Sequence, residues 1–235
     1  MDHPVSCTLR DGIARIALDD GKVNALSIST LGALRAAMER AEREADVVML
    51  SGRDGVFSAG FDLAVLKGGG DAAYAMVRAG FELAEQVLAS PRPVVIACTG
   101  HAVAMGAFLL LSGDYRIGAD GPFRITANEV AIGLTMPRAA VEVLRQRLTP
   151  AHFNRAALLA EPYAPADAVA AGFLDRVVEP EQLPQAASDV AQALRGLDLR
   201  AHAATKQRAR AATLAALRAA IAEDAAEYER ALRAV

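Results

Sequence analysis

Apolar positions along this chain follow two different rhythms. Residues 5–9 and 13–18 alternate apolar and polar side chains on either side of Asp11-Gly12, which predicts two strands joined by a tight hairpin. Residues 47–50 and 93–98 are short, nearly unbroken apolar runs, the pattern of buried strands, and 115–119 and 173–178 also read as strands. Between them the spacing becomes helical. Leu31, Leu34, Ala37, Met38 and Ala41 share one face of a helix that Ser27 or Ser29 can cap and that ends near Glu44.

A short helix is expected over residues 61–66, closed by the flexible joint Gly68-Gly69-Gly70, and a longer amphipathic one over 71–89. Thr99 and Gly100 break the strand at 93–98, and small residues 102–107 then feed an apolar helix ending near Gly113. Further helices are expected from Pro137 through Arg147, over 150–159 and over 165–171. Residues 21–26, 52–60 and 131–137 read as loops. From Glu181 onward Ala, Leu, Arg and Glu dominate, and the remainder reads as helix.

Strands alternating with helices over the first 180 residues predict an α/β fold with a largely parallel sheet. A boundary within residues 179–184 divides a β/α core, 1–180, from a helical C-terminal module, 181–235. Helices so rich in Ala and Leu must cover something, either their own core or a neighbouring subunit.

Composition narrows the classes. The chain has 235 residues, 53% hydrophobic and 23% charged, the balance of an ordinary soluble globular protein. A formal net charge of −3 supplies no basic field for nucleic acid. Cys7 and Cys98 lie far apart in strand-like runs and are expected to pack in the core, without a disulfide framework or zinc site. The longest apolar run, 102–111, is too short for a bilayer, which needs about 20 residues. The N-terminal MDHPVSCTLRDGIARI has neither a secretory nor a transit pattern, so a cytoplasmic protein is expected.

The chemistry concentrates between Pro91 and Glu129. Strand, glycine turn and helix start in succession put free N–H groups at the carboxyl edge of a sheet, where α/β proteins place their sites. Two such turns stand out, residues 57–62 and 100–106. Their small residues would admit a ligand close to the backbone, or would serve tight packing alone. No GxGxxG or GxxxxGK[ST] phosphate fingerprint accompanies them.

Glu129 sits among small and apolar residues; if buried, its pKa would rise and it could act as a general base, and if exposed it is an ordinary strand-end carboxylate. Asp114 reads as a structural turn residue. His101 with Ser58 or Ser112 could suggest a hydrolase, yet no GxSxG is present. His3, His152 and His202 share no metal-ligand spacing. Lys22, Lys206 and Arg208 could meet a phosphorylated ligand or form a solvated face.

Five ordered motifs then converge. SGRDGVFSAGFDL resembles the FxAGxDL pattern of the crotonase (enoyl-CoA hydratase/isomerase) family, and PRPVVIACTGHAVAMGAFLLLSGDYRIGA its KPVIAAVxGxAxGGGxxLAxxCDxRIA. NEVAIGLTMP resembles PExxLGLxP, AGFLDRVVEPEQL resembles AGLVxxVVPxxxL, and KVNAL matches the family's NAL box. The resemblance implies a β/α spiral core with a helical C-terminal domain, assembled as trimers or pairs of trimers. It implies that the N–H groups of Phe61 and Met105 hold an acyl-CoA thioester oxygen. Lys22, Val23, Ala25, Ala59, Phe61, Asp62, Leu63 and Gly106 would belong to the coenzyme A groove, the coenzyme arriving on the substrate with no cofactor of the protein's own and no metal.

The departures from the pattern carry information. Aligned on Gly100 and Asp114, the family's first catalytic glutamate falls on Phe108, whereas the second is kept as Glu129 within Asn128-Glu129. The triple glycine reads Ala104-Met105-Gly106, and one extra residue separates Asp114 from Glu129. Water addition uses two carboxylates, while a double-bond shift needs one. The expected activity is therefore 3-enoyl-CoA to 2-enoyl-CoA isomerisation in fatty-acid oxidation, with Glu129 as the base. A hydratase and a non-catalytic acyl-CoA binder are the alternatives.

Overall fold

Val5–Arg10 (β1) and Ile13–Leu18 (β2) form the expected antiparallel hairpin in the computed structural model of the protein, which describes residues 4–233. Asp11 and Gly12 both have positive φ, 50° and 71°, the turn whose twist matches that of paired strands. Ala25–Leu26 (β3) leads to the helix Ile28–Glu44 (α1), capped by Ser27 through its bond from the Thr30 amide. Val47–Ser51 (β4), Gly55–Ser58 (β5) and Gly60–Phe61 (β6) follow, then Leu63–Gly68 (α2) and Gly70–Ala89 (α3). The next elements are Val94–Cys98 (β7), Gly100–Val103 (β8), Met105–Leu111 (α4), Tyr115–Ala119 (β9) and Ile125–Thr126 (β10). Arg138–Arg145 (α5), Pro150–Leu159 (α6), Pro165–Ala171 (α7) and Arg176–Val178 (β11) precede three terminal helices. These are Leu183–Arg195 (α8), Leu199–Ala209 (α9) and Ala211–Arg233 (α10).

The main sheet has the order β1-β2-β4-β7-β9-β11 and is parallel beyond its first hairpin. Both faces are covered, which explains the unbroken apolar runs. Val48, Leu50, Ile96 and Cys98 face the large core with α1 and α3. Their neighbours Val47, Met49, Val95 and Ala97 face the other way, onto Leu183, Ala187 and Ala191 of α8. Side chains alternate along each strand, so one run serves two cores.

Two smaller parallel sheets, β10-β8-β5 and β3-β6, correct the sequence reading. The expected loops at 21–26 and 52–60 contain β3, β5 and β6, and the break at Thr99-Gly100 is followed at once by β8. These strands are two to four residues long, too short to establish a periodicity of their own. The strand expected over 173–178 is paired only from Arg176, because Phe173 and Leu174 close the turn after α7 and are buried in the core.

At the amino ends of β7 and β9, Asp114 ties the C-terminal helices to the sheet. Its carboxylate accepts from the Val94 amide at 2.7 Å and pairs with Lys206 Nζ at 2.7 Å and an Arg210 guanidinium nitrogen at 2.9 Å. Lys206 is thus a buried structural cation rather than a ligand contact, and Arg208 is exposed on the same helix. α10 packs against α3 and α5.

Candidate active site

Two chain crossings at the carboxyl ends of the small sheets build the site. In the first, Ser58 Oγ donates to Asn24 O and accepts from the Gly60 amide, which fixes the turn between β5 and β6. Asp62 is the N-cap of α2, its carboxylate accepting from the Ala64 and Val65 amides. Phe61 therefore ends a strand instead of starting the expected helix. Asp62 N–H donates to Leu26 O across β3; alternate amides of a strand face opposite ways, so the Phe61 amide turns from β3 toward the cleft.

In the second crossing Ala104 lies between β8 and α4 with φ 50° and ψ −122°. That backbone region favours glycine, and a residue with a Cβ occupies it at a cost of about 1–3 kcal/mol. Met105 is the first helical residue, whose amide has no acceptor within its own helix. Its side chain is fully buried in the core, so only its backbone is available to the cleft.

Glycines let the two crossings touch. A Cβ on Gly60 would stand 2.8 Å from Val103 O and 3.3 Å from Met105 N, and one on Gly106 would stand 2.4 Å from Ser58 O. The backbones therefore pack directly on each other, bringing the Phe61 peptide beside the Met105 amide. Two such amides can donate to one developing oxyanion, and losing one donor of this kind costs about 3 kcal/mol of transition-state stabilisation.

Beside them lies a cavity of about 370 Å³. Phe61, Leu66, Val77, Phe81, Phe108 and Leu134 give it an apolar wall, and Asn128, Glu129 and Thr135 are its polar side chains. Glu129 is 8% exposed, at the start of a single 3₁₀ turn, Val130–Ile132. Its Oε2 is buried without a hydrogen-bond partner. Burial pushes its carboxyl up to about 7, because the apolar wall disfavours the charged form. A carboxylate poised near neutrality in a dry pocket can take up and release a proton. Phe108 is 1% exposed and packs its ring against Phe81, with centroids 5.8 Å apart.

The other expected residues divide by position. Ala59, Phe61 and Leu63 line the cavity with Glu129. Lys22 and Val23 are exposed on the adjoining loop, where Val23 O accepts from the Ala59 amide. That loop is held by Asp20, whose carboxylate accepts from the amides of Lys22, Asn24 and Ala25. Asn24, fully buried with φ 54°, locks it to the Leu18 and Phe57 carbonyls. Asp62 and Gly106 act in the site's framework through capping and close packing.

The hydrolase constellation does not form. Ser58 Oγ is spent on the turn, Ser112 Oγ donates to Phe108 O, and His101 Nδ1 accepts from the Arg124 amide. His3 lies outside the described residues. Sequence reading missed Asn128, whose Oδ1 is also buried and unpartnered, together with Phe81 and Thr135. Adjacency to Glu129 was the one signal available for Asn128; Phe81 is indistinguishable from any core residue of an amphipathic helix.

Known proteins share this fold. The profile of the enoyl-CoA hydratase/isomerase family matches residues 8–233. The chain is 34% identical over 187 residues to the human mitochondrial enoyl-CoA delta isomerase 1, a match spanning 77% of this chain and 62% of that protein's length. It is 32% identical to a probable enoyl-CoA hydratase of Mycobacterium avium, over 82% of this chain and 75% of the relative. Among solved structures, a probable enoyl-CoA hydratase from Mycobacterium tuberculosis superposes with a TM-score of 0.94 at 48% identity, covering 98% of both chains. The human mitochondrial delta3-delta2-enoyl-CoA isomerase superposes with a TM-score of 0.85 at 29% identity, again over 98% of both. The matched motifs, the spiral fold and the profile agree: the chain belongs to the enoyl-CoA hydratase/isomerase family.

Proposed function

We propose that the protein moves the double bond of a 3-enoyl-CoA thioester to the 2-position. The Glu129 carboxylate removes a proton from C2, and the electrons of that C–H bond delocalise into a dienolate held at its oxygen by the Phe61 and Met105 amides. Glu129 then returns the proton at C4, leaving the double bond between C2 and C3. One observation carries the reading: Glu129 is the sole carboxylate lining the cavity among the described residues, and the position of a second acid is the buried ring of Phe108. The proposal takes Lys22, Val23, Ala25, Ala59, Asp62, Leu63 and Gly106 as the coenzyme A groove and its frame. It includes residues 181–235 as an oligomerisation module of a trimer or hexamer, and a cytoplasmic setting.

A second reading, water addition to a 2-enoyl-CoA, is favoured by Asn128, whose free Oδ1 beside Glu129 could hold a water. Incubation with 3-hexenoyl-CoA and, separately, with crotonyl-CoA decides between them. A 2-enoyl product from the first supports isomerisation; a 3-hydroxy product from the second alone replaces it with hydration. Neither product would leave an acyl-CoA binder without chemistry.

A further inference from the structure

A second cavity, of about 450 Å³, adjoins the first and shares Val77, Phe81, Thr135 and Pro137 with it. Its own walls are Ala73 and Tyr74 of α3, Met136 of the connecting loop, and Ile221 and Tyr228 of α10. Charged groups stand among its lining as Arg78, Arg138, Asp224 and Glu227. The roof is fastened. Asp224 accepts from the Arg138 and Ala139 amides at 3.2 and 3.1 Å, and the Arg138 side chain pairs with Asp224 and Glu227. The Tyr74 and Tyr228 rings lie parallel, 3° from coplanar with centroids 4.2 Å apart, and Tyr228 OH donates to Asp71 Oδ1 at 3.1 Å.

We infer that the two cavities form one acyl channel and that the Tyr74–Tyr228 stack marks its end, so this pair sets the longest stretch of acyl chain the protein buries. This rests on the proposed acyl-CoA function and deepens it. An acyl tail whose thioester lies at the Phe61 and Met105 amides outgrows the first cavity past Val77 and Phe81, and there meets the mostly apolar wall of the second. Each methylene buried on the way adds affinity, whereas methylenes beyond the stack stay wet and add none. The stack spans from α3 to α10, so the ruler depends on a helix remote in sequence from Glu129.

Calorimetric titration of the full chain with saturated hexanoyl-, decanoyl-, dodecanoyl- and hexadecanoyl-CoA tests this without needing turnover. Affinity should tighten roughly threefold per methylene and then level off. Tyr228→Ala should move the plateau to longer chains, and Ala73→Phe, which fills the distal cavity, to shorter ones. If Ala73→Phe does not fold, Tyr228→Ala decides, since its ring is half-buried near the end of α10. Affinity independent of chain length, or a plateau that Tyr228→Ala leaves in place, overturns the inference. The 3-hexenoyl-CoA assay separates the two failures: turnover with a flat length profile removes the ruler alone, and a moving plateau without turnover removes the isomerase reading alone. Absence of binding by every acyl-CoA removes both.

Discussion

Asp114 and Glu129 are two carboxylates on the same stretch of chain, set at opposite ends of the strands and treated in opposite ways. Asp114, at the amino edge, is met by an amide, a lysine and an arginine. Glu129, at the carboxyl edge, lines an apolar cavity and buries an Oε2 that has no partner. A buried charge that keeps its partners is compensated, while a buried acid without partners is an energetic liability and so a candidate for chemistry. The difference lies in the neighbours that the fold brings to each carboxylate.

The largest effect expected from breaking this contrast is at Glu129. Glu129→Gln keeps the volume and removes the proton shuttle, so isomerase kcat should fall about 10²–10⁴-fold while acyl-CoA affinity is retained. Steady-state assay together with calorimetric binding checks both halves, and full activity in the variant would end the proposal. Asp114→Asn should do the reverse. With Lys206 left buried beside a neutral amide, the protein should lose about 3 kcal/mol in urea denaturation, with turnover per folded molecule preserved.

The pH dependence sharpens the contrast further. Burial raises the Glu129 pKa from 4.5 to about 7, so between those values the folded state binds more protons than the unfolded one. Stability contributed by the protonated carboxyl is therefore complete below about pH 4.5 and lost as the pH climbs through about 7. Thermal denaturation should show the stability of Glu129→Gln relative to the parent protein improving across that window, by a margin on the order of 3 kcal/mol. An unchanged margin from pH 4.5 to 8 would mean that Glu129 is solvated or paired in solution. For the isomerisation itself, kcat/KM should rise with pH as the free enzyme's carboxyl ionises near 7.

The smallest effect concerns the frame. Ala104→Gly relieves the unfavourable backbone at φ 50° but frees the unfolded chain, leaving a net gain of about 1 kcal/mol or less, measurable as a raised midpoint in urea. A loss of stability would show that the methyl packs well enough to outweigh the strain.

Much of this was legible beforehand, for reasons that differ from one residue to the next. The apolar runs at 47–50 and 93–98 announced strands covered on both faces, and Ser27 announced the start of α1. Asp114 was read as structural, and Asp114 is tied to the sheet and the C-terminal helices. Phe61 was expected inside a helix, because a two-residue strand has no period and Asp62 shifts the helix start beyond it. Lys206 looked like any solvated cation, since nothing in the AHAATKQRAR segment reveals that Asp114 waits to receive it.

Local pattern established the order of the longer strands and helices, the family to which the chain belongs, and the placement of Phe108 where an acid would stand. Those properties reside in local periodicity and in ordered motifs, which are read along the linear chain. Folding alone buries Glu129 without a partner, brings two peptides into contact at Gly60 and Gly106, and sets α10 over a second cavity against α3. Burial, desolvation and convergence arise from segments distant in sequence meeting in space. A carboxylate's proton affinity follows from those neighbours, and residues 61, 108 and 129 become neighbours only when the chain has folded.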